Sequence, residues 1–207
     1  MPYRAAIIVD MASDIAGAGA RALLPAAADE FGHRVHAVPA DGWDRGTPDD
    51  EWTVRDLVSH LVSEHLWVPS LLAGQTVVEI GDRYKGDVLG ADPVKAWDAA
   101  IAASLHSWAQ TSDDRPVDLS AGPTPAAEYA EQMLLDLVVH SWDLARGAGL
   151  ADRLPADLVA HVLAYVEPLA DDWREGGIFG ERVELDSDDP QDQLLALLGR
   201  HPRWETT

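Results

Sequence analysis

Residues 53–72 read TVRDLVSHLVSEHLWVPSLL and carry the clearest helical signal in the chain. Thr53 is a suitable N-cap, and Asp56 stands three residues later, where an acidic side chain can complete the cap. Apolar side chains then recur at helical spacing, at Val54, Leu57, Val58, Leu61, Val62 and Leu72. The stretch therefore predicts an amphipathic helix that begins at Thr53 and ends near Gly74.

Other segments repeat this helical pattern, and clusters of Pro, Gly and Asp separate them. The further predicted helices run from about Ala18 to Val38 with a kink or split at Pro25, from Asp92-Pro93 to about Ala109, from Thr124-Pro125 to Gly147 or Gly149, from Pro155 to about Trp173, and from Pro190 to Leu198. No convincing run of alternating strand pattern is present, and residues 1–17 are left unassigned. The sequence thus predicts an all-α protein, an antiparallel bundle with elaborated loops.

Composition excludes several classes of partner. The chain has 15 Lys and Arg residues and 36 Asp and Glu residues. The resulting net charge of -21 opposes binding to nucleic acid or to an anionic membrane. The apolar run 5–9 is too short for a secretory signal, and no stretch approaches the roughly 20 apolar residues of a membrane span. We therefore expect a cytoplasmic protein.

The chain has no Cys, so any metal must be held by His and carboxylate side chains.

Asp136 and His140 stand four residues apart, so on a helix their side chains could chelate one ion from the same face. The same spacing occurs at Asp29/His33, Asp56/His60 and Asp157/His161. With 8 His and 36 acidic residues in 207 positions, chance supplies roughly one or two such pairs. The spacing alone is therefore weak evidence for a metal site.

The surroundings of these residues narrow the choice. Asp136 interrupts an apolar run, although a helical wheel places it with His140 on a polar border, where a solvated edge is the simpler interpretation. His60 falls among apolar positions and needs a partner, but a satisfied core histidine is the commoner explanation. His65, about 140° from His60 on the wheel, cannot easily share an ion with it and is interpreted as structural.

Four segments resemble the DinB-like superfamily, specifically the metal-binding domain family of mycothiol-dependent maleylpyruvate isomerase. Residues 51–61, EWTVRDLVSHL, resemble its second helix. The others are 67–74 (WVPSLLAG), 135–145 (LDLVVHSWDLA) and 190–200 (PQDQLLALLGR). The resemblance implies a DinB-like four-helix bundle over residues 1–175, with residues 176–207 as an extension that carries an extra C-terminal helix and an irregular tail, packed on the bundle.

In that family, one His of the second helix and an acid-x-x-x-His or His-x-x-x-His pair of the fourth bind a divalent metal, usually zinc. These positions correspond to His60, Asp136 and His140. Asp136 departs from the Glu or His expected there, and Asp49-Asp50 replaces a frequent Cys-Pro.

Three protein ligands would leave an open coordination position, as in catalytic metal sites. The resemblance implies that a small-molecule thiol, mycothiol, fills it as cosubstrate and supplies the nucleophile that this chain lacks. The expected activity is thiol-dependent transfer or isomerisation on a small electrophile. Two alternatives remain open: a hydrolase that uses a metal-bound water with Asp56, Glu64 or Asp143 as general base, and a non-catalytic metal-binding or sensing module. The sequence is also compatible with a homodimer.

Overall fold

The computed structural model describes residues 19–49, 52–120, 122–175 and 180–205. Within these residues the chain forms eight helices and one hairpin: α1 Ala20–Ala37, α2 Val54–Leu72, α3 Val77–Ile80, α4 Pro93–Trp108, β1 Pro116–Leu119, β2 Gly122–Pro125, α5 Ala126–Ala148, α6 Ala156–Val166, α7 Ala170–Glu175 and α8 Pro190–Leu197. No helix in this described part is long and apolar enough to cross a membrane.

Helices α1, α2, α4 and α5 form a four-helix bundle. Helix α1 packs mainly along α5, and α2 packs mainly along α4. The bundle closes through further contacts of α2 with α5 and of α1 with α4. Fully buried leucines fill its centre, among them Leu57 and Leu61 of α2 and Leu134 and Leu137 of α5. The prediction of a mostly helical bundle is confirmed.

Helix α2 begins where the sequence predicts. The Thr53 hydroxyl accepts a hydrogen bond from the Asp56 amide at 3.2 Å, and Asp56 Oδ2 accepts one from the Thr53 amide at 3.0 Å. This capping box satisfies two amides that the first turn leaves without a helical partner.

The hairpin before α5 is not predicted from the sequence. Strands β1 and β2 pair antiparallel, with Val117 opposite Thr124, where only loop and helix start are predicted. Each strand is only four residues long, and three of the eight residues are prolines, so alternation of apolar and polar side chains has no room to appear.

The predicted fifth helix, Pro155 to Trp173, is also corrected, because it is two helices. Residues 167–169 form a turn between α6 and α7. Pro168 has no amide hydrogen to donate and its ring opposes the preceding turn, so it breaks the helix. Pro25, by contrast, lies inside α1 and does not split it.

The C-terminal helix is held on the bundle through α6. Helix α8 packs against α6, which packs against α5. The Leu154 amide before α6 also donates to Gln191 Oε1 of α8 at 2.9 Å. The domain boundary predicted between residues 175 and 176 adjoins residues 176–179, which lie outside the described residues, as do residues 1–17. The boundary stays a prediction.

Gly147 allows the loop before α2 to lie directly across α5. A Cβ atom at this position would stand 2.9 Å from the Gly46 carbonyl oxygen and 3.0 Å from side-chain carbons of Thr47 and Val54. Any larger residue would push the loop away. The close approach brings the loop residues Asp49 and Trp52 beside α5.

His65 lies in the core between α2 and α4, as its interpretation as a structural histidine predicts. Its side chain is 1% exposed, and Nδ1 is 2.9 Å from the Ser104 hydroxyl. Burial lowers the pKa of His65 to about 4, and this effect outweighs the opposing charge of Asp136.

We predict that His65 makes the fold sensitive to acid. The unfolded chain takes up a proton at this side chain near pH 6.5, whereas the folded chain does so only near pH 4. Stability is therefore retained above pH 6.5 and lost as the pH falls from 6.5 towards 4. Between pH 7 and pH 4.5, the unfolding free energy of the parent chain should fall by about 2 to 3 kcal/mol more than that of His65→Asn.

Urea unfolding with chelator present measures this difference. His33→Asn, at an exposed position of α1, is the matched control and should keep the pH dependence of the parent chain. An unchanged pH dependence in His65→Asn would contradict a neutral, buried His65.

Candidate metal centre

Helices α2 and α5 bring the three predicted ligands together. His60 Nε2 lies 3.2 Å from Asp136 Oδ2, and His140 Nε2 lies 3.2 Å from Asp136 Oδ1. One carboxylate therefore stands between two imidazoles. The three potential ligand atoms all lie within 4.8 Å of one another.

The two helices position this cluster by simple geometry. Asp136 and His140 are one turn apart on α5, so both point to the same side. His60 comes from the first half of α2, which faces α5 in the bundle. Trp52, from the loop that Gly147 admits, covers the histidines with ring centroids 4.9 Å from His60 and 5.9 Å from His140.

The electrostatics of the cluster favour positive charge at its centre. Burial alone would lower the pKa of His140, but the carboxylates of Asp136 and Asp143 outweigh it and raise this pKa to about 10. Burial also acts to lower the pKa of His60, but the carboxylate of Asp136 raises this pKa overall. Burial would raise the pKa of Asp136, yet the two histidines hold it well below its usual range. The carboxylates thus favour positive charge between the two rings, which a bound cation would supply.

The spacing and chemistry of the cluster fit a divalent ion. Zinc binds His nitrogen and carboxylate oxygen at about 2.0–2.2 Å, so neighbouring ligands of a tetrahedral site lie roughly 3.3–3.5 Å apart. The two separations of 3.2 Å join the imidazoles to different oxygens of Asp136, and one potential ligand atom from each residue lies within 4.8 Å of the other two. Two imidazoles and one carboxylate are ligands that suit zinc and related metals.

Asp143 orients His140 from behind. It is 0% exposed, and its Oδ2 accepts a hydrogen bond from His140 Nδ1 at 2.9 Å. This bond fixes the ring so that Nε2 faces Asp136, an arrangement common around protein-bound metals. Asp143 is a candidate base by its sequence position, but in the structure it is a buried partner of His140.

Arg200 neutralises this buried carboxylate. Its Nη2 donates to Asp143 Oδ2 and to Asp49 Oδ2, both at 3.0 Å. Asp49, His140 and Asp143 form a second group with the spacing of metal ligands. The Arg200 guanidinium already supplies positive charge at this second group. The geometry therefore favours a single ion at the group of His60, Asp136 and His140, which we call the first cluster.

A cavity of about 660 Å³ opens beside the cluster, and all three cluster residues line it. Leu135, Val139 and Trp173 give it an apolar wall. Arg200 and Gly180 close it from the C-terminal segment. The cavity therefore offers a reacting ligand access to the cluster.

The candidate bases do not meet at this cavity. Asp56 is exposed and engaged in the helix cap, and its hydrogen bonds to Thr53 lower its pKa. Glu64 lies one turn after His60, and burial first, then the charge of Asp136, raises its pKa. Neither is among the lining residues, whereas Asp49 is. Asp49 is not recognisable as a site residue from the sequence, because only the tertiary fold brings its loop to α5.

Helical topology and a site of two histidines and one carboxylate define a bundle protein with a candidate metal centre. The family model for the mycothiol maleylpyruvate isomerase N-terminal domain matches residues 24–145, more than half of the chain. The chain belongs to this family.

Similar proteins extend this likeness beyond the matched domain. Two uncharacterized proteins, from two strains of Mycobacterium tuberculosis, are each 28% identical over 180 residues, covering 86% of this chain and 95% of theirs. Crystal structures of the mycothiol-dependent maleylpyruvate isomerase and of a mutant of it share the fold. They match with TM-scores of 0.58 and 0.62 and with 17% and 16% identity, over 81% of this chain and 75% of theirs.

We predict that the purified chain binds one divalent ion at the first cluster. His60→Ala and His140→Ala should each abolish binding, and Asp136→Ala should weaken it, because each removes one converging ligand. Metal analysis by mass spectrometry, on protein purified without a metal-affinity tag, measures the stoichiometry. His161→Ala is the control, since His161 pairs with Glu131 away from the cluster. Full metal content in either ligand variant would contradict the assignment.

We also predict that Asp143 sets the affinity of the site. Asp143→Asn should weaken metal binding by about 10- to 100-fold, because His140 loses the carboxylate that orients it. Competition with a chromophoric chelator measures the affinity, and the melting temperature of the metal-free protein monitors folding. Asp49→Asn, which also changes a partner of Arg200, should have a smaller effect. Equal affinities in Asp143→Asn and the parent chain would contradict this role.

Proposed function

We propose that this protein binds one divalent metal ion, expected to be zinc, through His60, Asp136 and His140, and that it acts on a small electrophile with a thiol cosubstrate of the mycothiol type. The reaction class is thiol transfer or thiol-assisted isomerisation. The proposal rests on the convergence of the three ligand atoms beside an open cavity.

A bound ion would lower the pKa of a thiol in its remaining coordination position and so supply a thiolate nucleophile. The chain's own residues bind and orient. His60 and Asp136 hold one side of the centre, and His140 is fixed by Asp143. The apolar wall of Leu135, Val139 and Trp173 would seat the electrophile and exclude water.

A thiol cosubstrate is favoured because the chain offers no sulfur nucleophile of its own. The family match to the mycothiol maleylpyruvate isomerase domain supports the same class of chemistry. The hydrolase alternative needs a general base at the cavity. Among the described residues that line it, the one carboxylate outside the ligand set is Asp49, which is held by Arg200.

We predict that cobalt-loaded protein reports thiol binding directly. Adding mycothiol should produce a thiolate-to-cobalt charge-transfer band in the near ultraviolet, because the sulfur would enter the coordination sphere. S-methyl mycothiol, whose thioether cannot become a thiolate, should produce none and serves as the matched control. Absence of the band at saturating thiol would reject the thiol-dependent function and favour the hydrolase or the sensing module.

A further inference from the structure

A second depression adjoins the candidate centre and shares Trp52 and His60 with the cavity. This polar groove has a volume of about 660 Å³ and is lined by α2 and by the segment after α3. Trp52 and His60 line both the groove and the cavity, whereas Asp136 and His140 line the cavity alone. A ligand with one end at the cluster could therefore extend past Trp52 into the groove.

We propose that the polar groove binds the sugar portion of the thiol cosubstrate, so that the ligand lies across Trp52 with its sulfur at the cluster. This inference rests on the proposed function. It assigns the two depressions to two substrates: the groove to a polyhydroxylated thiol and the cavity to the electrophile.

The lining of the groove suits hydroxyl groups. Ser59 and Ser63 stand one turn apart on α2, on the side that also carries Asp56 and His60. Neither serine hydroxyl has a hydrogen-bond partner among the residues that the structure describes. Tyr84 and Lys85 face them from the segment after α3, where the Tyr84 hydroxyl bonds to Ser70 and Lys85 pairs with Asp82. The two serine hydroxyls can each donate to and accept from a polyol.

The different lining residues of the groove and the cavity indicate which substrate binds in each. Leu135, Val139 and Trp173 line the cavity, and its Asp49 and Arg200 already bond to each other. A ligand rich in hydroxyl groups would lose hydrogen bonds to water there without replacing them. In the groove, Ser59 and Ser63 offer replacements.

The position of Trp52 suits a ligand that bridges the two depressions. Its indole is half-buried, packs against His60 at a centroid distance of 4.9 Å and borders both spaces. An indole face packs well against the C–H groups of a sugar ring, while the hydroxyl groups at the ring edge reach polar side chains. Mycothiol carries its cysteinyl thiol on a glucosamine–inositol scaffold, which has this shape. Its hydroxyl-rich scaffold also carries no negative charge for the acidic chain, net charge -21, to repel.

The test compares two neutral thiols, of which only one carries the sugar portion. Mycothiol and N-acetylcysteine amide are titrated into cobalt-loaded protein, and the charge-transfer band gives the dissociation constant of each. Loss of a few hydrogen bonds and one stacking contact should make N-acetylcysteine amide bind at least about tenfold more weakly. Ser63→Trp fills the groove and should weaken mycothiol by about tenfold while leaving N-acetylcysteine amide unchanged.

Ala103→Trp adds the same side chain at an exposed position of α4 outside the groove and is the matched control, with mycothiol binding near that of the parent chain. Metal content and melting temperature of each variant establish that the centre is intact. Equal affinities for the two thiols in the parent chain, or equal weakening of both by Ser63→Trp, would overturn the groove assignment alone. If neither thiol produced the band, the proposed function and this inference would both be overturned.

Discussion

The carboxylate of Asp136, held between the imidazoles of His60 and His140, is the interaction on which the site depends. It lies at 3.2 Å from each ring nitrogen and joins α2 to α5 inside the bundle. A carboxylate in this partly buried position is costly unless it is paired, and each of the two rings would be costly if charged alone. The three groups stabilise one another only because the two helices present them at the same level.

The pairing extends outward through a second layer of charge. Asp143, fully buried, bonds to His140 and is itself neutralised by Arg200, which also bonds to Asp49. This network connects the second half of α5, the loop before α2 and the segment after α8. The C-terminal segment is thus part of the candidate centre, both by supporting His140 and by closing the cavity. A buried network of this kind requires every member to be satisfied, which links the geometry of the site to the packing of the tail.

Two spaces meet at the candidate centre, and they differ in character. The cavity combines the cluster with an apolar wall, whereas the groove is lined mainly by polar side chains and touches the cluster only through His60. Trp52 stands between them, on the loop that the absence of a side chain at Gly147 allows to approach α5. A small backbone requirement far along α5 therefore determines how ligands could reach the proposed ion.

The helices of the bundle can be predicted from the sequence, and so can the three residues of the cluster as candidates. Cap chemistry at Thr53 and apolar periodicity are local properties, so the start of α2 could be predicted from neighbouring residues. Spacing alone left Asp136 and His140 as weak as three other pairs, and only the family resemblance joined them to His60. The hairpin and the break at Pro168 were missed, because short strands and a single helix breaker give little periodic signal. The partners of Asp143 could not be predicted in this way. Nor could the positions of Arg200 and Asp49 or the separation of the cavity from the groove. These depend on contacts between residues as far apart as 49 and 200, and such contacts arise from packing, which no local pattern encodes.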